Sequence, residues 1–364
     1  MARWTDYFLD ANFSDFWRRR MAHRDIRVLL IFGLGFDPRS LNSLQLLAQL
    51  GLADRVGYLA LRIIARPALG PSGAIIQELS EENLDALKLV GSCKAEAVLD
   101  AETQDSEGHS IVGRRTLEAL ASEKDCLSKY SDVIVDISGM PRGMFFPLIA
   151  YLLRLVDQRA FPNLHVTVVE DPILDAKISG REYGVADYLH TFRHHDESGL
   201  VWLPVIGARE TIRLEKIHNK IKSACVEICP IVPFPASSLR RVDDIVVNHA
   251  EVLFEGLLVS PDNLLLCDER TPFDIYRKIL DVEQYYHARL GLLPAIGKVT
   301  AVVSPLSSKT LSLGMLLAAT ERSLPVCHVE PGTYEVETSA GGKLVGGATW
   351  QPLEVWLAGE PYTL

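Results

Sequence analysis

The chain has 364 residues, enough for two domains of ~100–200 residues each. Its 48% hydrophobic and 23% charged residues provide ample apolar surface for a core, which excludes disorder as the main state. Lys and Arg number 37 and Asp and Glu 47, so the formal charge is −10. That disfavours duplex nucleic acid as a partner but leaves room for a local basic pocket.

Residues 1–24 form an aromatic, charged segment with Phe13, Phe16 and Trp17 on one side and Arg18, Arg19 and Arg20 beyond. It lacks the apolar stretch of a signal peptide. No run of ~18 uncharged apolar residues occurs, so we expect a cytoplasmic protein with no membrane partner. The aromatics (Trp4, Tyr7, Phe8, Phe13, Phe16, Trp17) either dock a partner or pack back onto their own domain.

Val28–Phe32 is an apolar run ended by Gly33, the pattern of a strand buried on both faces of a parallel sheet. The loop Gly33-Leu-Gly-Phe-Asp-Pro-Arg39 follows, and Ser40 is placed to cap a helix carrying Leu41, Leu44, Leu47 and Leu50. A strand is expected at 56–64, a helix at 81–90 behind Ser80, a weak strand at 95–99, an acidic exposed loop at 100–108 and a helix at 115–127. Asp132–Asp136 is the clearest central strand. It passes through Ile137-Ser-Gly-Met-Pro-Arg142 into a long apolar helix, and the buried strand 165–169 then ends at Glu170-Asp171-Pro172. Alternating strands and helices with short connections indicate an α/β doubly wound sheet.

A short strand at 200–203 closes this half, and 208–223 reads as a charged helical connector. The second half retraces the first: Val226–Val232 matches strand one, Val299–Val303 leads through Ser304 to Lys309 and a helix, and Val326–Val329 ends at Glu330-Pro331. The fold class expected is therefore α/β, two Rossmann-like parallel-sheet halves produced by internal duplication. Their boundaries are 25–207 and 224–364.

In open parallel sheets, ligands bind beyond the carboxyl ends of the strands, where the strand order reverses. Gly33, Gly35, Asp37, Arg39, Asp136, Ser138 and Arg142 would meet there in the first half, and Ser304, Ser308 and Lys309 in the second. The glycines permit close backbone approach, helix starts attract anions, and Arg39, Arg142 and Lys309 add charge-assisted donors. Each feature also has a bland counterpart: Asp37-Pro38-Arg39 as a turn with an internal ion pair, Asp136 bonding its own loop, Arg142 and Lys309 as solvated helix starts.

Several chemistries are absent as motifs. Pro38 replaces the third glycine of GxGxxG, and no GxxxxGK[ST] or GxSxG run exists. The six cysteines form no CxxC pair and read as reduced buried thiols. His194-His195-Asp196-Glu197 reads as an exposed polar loop, so neither a metal nor a cofactor is expected.

The run Asp136-Ile-Ser-Gly-Met-Pro-Arg-Gly-Met144 after a strand resembles the CARF group of Rossmann-like sensor domains, in which an Asp–hydrophobic–Thr/Ser–Gly loop precedes a helix. The resemblance covers about 28–172, with an echo over 226–331, and Gly-Met-Pro-Arg stands in place of the usual Gly-Gly-Thr-Lys. It implies a sensor of a cyclic oligonucleotide with paired domains around a shared axis; a less direct kinship, to Rossmann-like proteins of bacterial defence operons, is an equal reading. Three functions stay open: a regulatory protein that binds a nucleotide-like or phosphorylated anion and signals to a protein partner or a second copy; a nucleotide-processing hydrolase or transferase using Asp37 or Asp136 with Glu170; and a non-catalytic structural subunit.

Overall fold

The computed structural model describes residues 2–362 apart from 52, 66–70, 92, 108, 182, 194–198, 209–210, 237, 239, 291–298, 340–341 and 348–349. Two compact units result. The larger comprises Asp6–Tyr183 and Pro331–Leu364, the smaller Met1–Thr5 and Gly184–Glu330. In chain order the strands are β1 (Phe8–Asp10), β2 (Val28–Leu34), β3 (Val56–Ile64), β4 (Lys94–Glu102), β5 (Asp132–Asp136), β6 (Asn163–Val168), β7 (Ile178–Arg181), β8 (Asp187–Tyr188), β9 (Gly199–Ile206), β10 (Cys225–Ile228), β11 (Ile231–Pro233), β12 (Leu265–Cys267), β13 (Val299–Leu306), β14 (Cys327–His328), β15 (Thr333–Val336) and β16 (Leu353–Ala358).

The larger unit is built on a sheet ordered β1-β16-β6-β5-β2-β3-β4. From β6 to β4 every pairing is parallel, whereas β16 joins β6 antiparallel and β1 joins β16 antiparallel. The five parallel strands thus run 3-2-1-4-5 in chain order, the Rossmann arrangement, with the reversal between β2 and β5. Every residue of β2 and β5 is buried, as expected of strands covered by helices on both faces. The helix Arg142–Asp157 is apolar around nearly its whole circumference and is accordingly buried from Gly143 to Ala150.

In the smaller unit β9 pairs in parallel with β13 over its full length and, on its other side, with β10 and then β11; β12 lies beside β11. A parallel bridge Val303–Val326 sets the approach to β14 beside β13. The order is again 3-2-1-4-5, so both units share one topology. The internal match shifts by one strand, however. The counterpart of β2 is β9, not Val226–Val232, which forms the second strand interrupted at Cys229-Pro230. Pro204 reads as a strand terminator because it donates no N–H, yet β9 continues through it to Ile206.

The unit boundaries differ from 25–207 and 224–364 for the same reason. Residue pairing, not chain order, decides membership: β9 is the central strand of the smaller sheet, and β16 returns to the larger one. The segment at 208–223 contains the helix Thr211–Ile221, whose Leu214, Ile217 and Ile221 are buried, so it is a crossover between the parallel strands β9 and β10 and not a free connector. Ser80 lies inside the helix Pro71–Leu89, its hydroxyl donating to the Ile76 carbonyl, so it is no cap.

The N-terminal segment divides between the units. Asn12 caps the helix Phe13–Arg20 by accepting from the Asp15 N–H, and the three arginines of the last turn complement its dipole. Phe13, Phe16 and Trp17 are buried within the larger unit, and Trp4 is buried edge-on to Tyr276 in the smaller. These four aromatics pack into their own folds, the second of the two readings for the segment, while Tyr7 stays exposed.

Two helices of the smaller unit meet at Gly314, where an added Cβ would lie 1.9 Å from the Pro272 carbonyl oxygen and 2.5 Å from Ile275 Cγ2. Gly314→Ala must therefore part the helices Pro272–Leu290 and Lys309–Arg322. A loss of about 1–3 kcal/mol is expected, read as a lower urea midpoint at unchanged m-value.

The larger unit also buries an ionic cluster at the amino end of β5. His165, Asp132 and Glu354 are all fully buried; His165 Nε2 lies 3.0 Å from Asp132 Oδ1, and Nδ1 lies 2.9 Å from Glu354 Oε1. Arg20 pairs with Asp132 and covers the Trp356 ring at 4.4 Å, while Trp17 Nε1 donates to Glu354 at 3.3 Å.

Candidate functional site

The loops after β2, β5 and β6 meet at the strand reversal of the larger unit, as the sequence pattern anticipates. Gly33 is needed because a Cβ there would meet Met140 Cγ at 2.8 Å, and Gly139 because its Cβ would meet Ser40 Oγ at 2.6 Å. Gly35 is less constrained; its carbonyl accepts from Asn83 Nδ2 at 2.7 Å. The turn Pro38–Leu41 is capped by Asp37, which accepts from the Arg39 N–H at 2.9 Å. Ser40 therefore does not cap the following helix, Asn42–Gln49.

Arg39 is only 2% exposed, and its guanidinium is committed. Nε donates to Asp37 Oδ1 at 3.0 Å and Nη2 to Asp37 Oδ2 at 2.8 Å, a bidentate pair; Nη2 also meets Asp175 Oδ1 at 2.8 Å, and Nη1 lies 3.4 Å from the Val169 carbonyl. Arg39 thus joins the loop after β2 to the loop after β6. Ser138 joins the loop after β5 to the same place, its Oγ accepting from the Val169 N–H at 2.9 Å. Asp136 is buried and accepts from the Ser138 N–H at 2.8 Å. Glu170 is exposed.

Asp171 organises the far side of the site. One carboxylate oxygen accepts from the N–H groups of Ile173 and Leu174; the other accepts from Gly347 N–H at 2.6 Å and Trp350 Nε1 at 2.7 Å. Burial pushes its carboxyl up, but these bonds to the ionised form outweigh that and hold it below the usual range. Asp175, Gly347 and Trp350 were not visible as site residues, since nothing in local spacing links them to Arg39 or Asp171.

Arg142 opens the helix Arg142–Asp157 and is half-buried. The residue before it, Pro141, has no side-chain acceptor, and the first turn carries no acid. The turns that begin after Asp37 and Asp171 are capped by those carboxylates, so this helix start differs from its neighbours.

In the smaller unit Ser304 lies within β13 and accepts from Trp202 Nε1 at 2.9 Å, so it belongs to the core rather than to a loop. Ser308 caps the helix Lys309–Arg322, accepting from the Leu311 N–H at 3.3 Å, and Lys309 is the first helical residue. Sequence spacing missed His249, which is buried where β9 and β13 end. Its Nε2 donates to the Gly207 carbonyl at 2.8 Å, and Nδ1 lies 3.2 Å from Thr211 Oγ1. Burial holds its imidazole below the usual range despite the bond to Gly207, so it is neutral near pH 7. The segment His194–Glu197 and Ser237 lie outside the described residues.

The site and strand order define a Rossmann-like α/β protein whose polar groups converge on the strand reversal. No family model matches the chain, and no curated protein matches it. Among solved structures it is similar to a putative universal stress protein from Pseudomonas aeruginosa UCBPP-PA14, at 12% identity over 84% of this chain and 94% of that one, with a TM-score of 0.26. It is also similar to a universal stress protein from Archaeoglobus fulgidus DSM 4304, at 15% identity over 84% and 96%, with a TM-score of 0.24. Likenesses this distant bear on neither ligand nor partner. No helix among the described residues is long and apolar enough to cross a membrane.

Proposed function

We propose that the larger unit is a regulatory module that binds a nucleotide-like ligand at the reversal between β2 and β5 and passes its occupancy to a protein partner, as the likeness to CARF sensors implies. One observation carries this reading: the start of the helix Arg142–Asp157, without a side-chain cap or a first-turn acid, sits at that reversal and begins with an arginine. A helix start of this kind favours a phosphate, and Arg142 adds a charge-assisted donor. Asp136, buried at the end of β5 and accepting from the Ser138 N–H, shapes the loop that leads to Arg142. Arg39 and Asp37 hold the loops in place instead of contacting ligand.

Calorimetry against a panel of mononucleotides, dinucleotides and cyclic oligonucleotides tests the reading. Arg142→Ala should weaken the ligand that binds by at least about tenfold, the value of one charge-assisted hydrogen bond. Equal affinity in both proteins for every member of the panel would remove the site.

A second reading, a non-catalytic structural subunit, draws support from the reciprocal pairing of Asp37, Arg39 and Asp175. It predicts no saturable binding to any member of that panel. The hydrolytic reading is weaker, because Asp37 is locked in a bidentate pair with Arg39.

A further inference from the structure

The opposite end of the larger sheet has its own chemistry. Four neighbouring parallel strands, β5, β2, β3 and β4, start side by side, and each is preceded or begun by a base: Lys129, Arg27, Arg55 and Lys94. Parallel pairing brings these four residues, widely separated in sequence, to the rim of one cleft with about 430 Å³ of empty space, its open mouth included. Two acids, Asp54 and Glu96, also line it, so bases outnumber acids two to one in a chain whose overall charge is −10.

The floor of the cleft is built, not incidental. Glu96 has a side chain only 8% exposed and receives the Tyr130 hydroxyl at 2.7 Å, Lys129 at 3.5 Å and Lys94. Burial pushes its carboxyl up, but the bonds from Lys94 and Tyr130 pull it below the ordinary range, so it stays ionised as an anchor for both lysines. The Tyr130 hydroxyl lies where a Cβ on Gly57 would be 2.0 Å away, so only glycine at 57 admits this arrangement.

The two arginines are not neutralised by carboxylates. Arg55 donates to the carbonyls of Met21 at 2.7 Å and His23 at 2.8 Å, which fix its guanidinium while leaving its formal charge uncompensated. Among the described residues the Arg27 guanidinium makes no hydrogen bond or ion pair, and neither arginine has a carboxylate partner. A positive rim around a tyrosine-floored cleft, with Arg55 held in place and Arg27 unengaged, matches a compact polyanion.

We infer that this cleft is an anion site for a small molecule bearing linked phosphates, separate from the site at the carboxyl ends of the strands. The probe is inorganic pyrophosphate, titrated calorimetrically in low-salt buffer, with ADP as a second arm to separate free pyrophosphate from a nucleoside diphosphate. Saturable binding of pyrophosphate at one site is expected, at least about tenfold weaker in Arg27→Ala and partly restored in Arg27→Lys. Arg27 makes no other side-chain bond, so its loss should leave the thermal midpoint unchanged. Lys88→Ala, at an exposed ion pair on the helix Pro71–Leu89, should leave affinity unchanged and so rules out a diffuse charge effect.

Absence of saturable heat with pyrophosphate overturns the site, and so does equal weakening in Arg27→Ala and Lys88→Ala. Weakening in Arg142→Ala with none in Arg27→Ala would assign the anion to the other end of the sheet. Stronger binding of ADP than of pyrophosphate, still lost in Arg27→Ala, would make the occupant a nucleoside diphosphate.

Discussion

His165→Leu should destabilise the larger unit by about 3–5 kcal/mol, the usual cost of breaking a buried ion pair by removing one partner. The substitution leaves Asp132 with Arg20, and Glu354 with little beyond the Trp17 indole N–H, both inside the protein. Burial pushes the His165 imidazole down, but its contacts with Asp132 and Glu354 prevail and hold it above its ordinary range. Asp132 is pushed up by burial and pulled further down by His165, Arg20 and Ser131, whereas burial of Glu354 prevails and keeps it raised. The signs then follow. Stability from Asp132 is present above its unfolded value of ~3.9 and fades as pH falls through its lower folded value. Stability from His165 is complete below ~6.5 and fades as pH rises through its higher folded value, and the raised Glu354 weakens the fold in the same direction from ~4.3 upward. Urea midpoints of the wild type should therefore decline on the alkaline side of ~6.5, and the imidazole's share of that decline should be missing from His165→Leu. Identical alkaline slopes in the two proteins would show that His165 is not held charged.

Arg39→Met is the second large effect. It strips the cation from between Asp37, which is buried, and Asp175, and unties the loop after β2 from the loop after β6. We expect a loss of about 3–5 kcal/mol in urea unfolding. Arg142→Ala, at a half-buried helix start, should cost less than that. That contrast separates a residue that shapes the site from one proposed to face a ligand. Arg39→Met with unchanged stability would return Arg39 to the ligand contacts.

Much of the architecture was legible in the chain itself. β2 and the middles of β5 and β13 are apolar runs because parallel strands covered on both faces have no solvent side to mark with polar residues, whereas β6 alternates Asn163, His165 and Thr167 with Leu164, Val166 and Val168 although all six are buried. The helix at 142–157 and the one that begins at Lys309 likewise follow from their apolar content. Sheet membership was not legible for β9 and β16, because pairing partners lie far away in sequence: β9 with β13, and β16 with β6. The site shows the same division. Asp37, Arg39, Asp136 and Ser138 announced themselves by position after apolar strands. What they do depends on Asp175 and the Val169 backbone, which only the folded chain brings to them. The alternative of an internal ion pair at Asp37-Pro38-Arg39 is the one the structure realises.

The larger unit is interrupted: its chain leaves at Tyr183 and resumes at Pro331. The strand β16, which supplies Glu354 to His165, and the loop that brings Gly347 and Trp350 to Asp171 are both made after the smaller unit. The inserted smaller unit has all its sheet strands available before its host does. A nascent chain halted after Glu330 would thus hold the smaller unit's sheet complete and the larger unit's sheet with an open edge at β6, so premature termination should leave the larger unit in an aggregation-prone form.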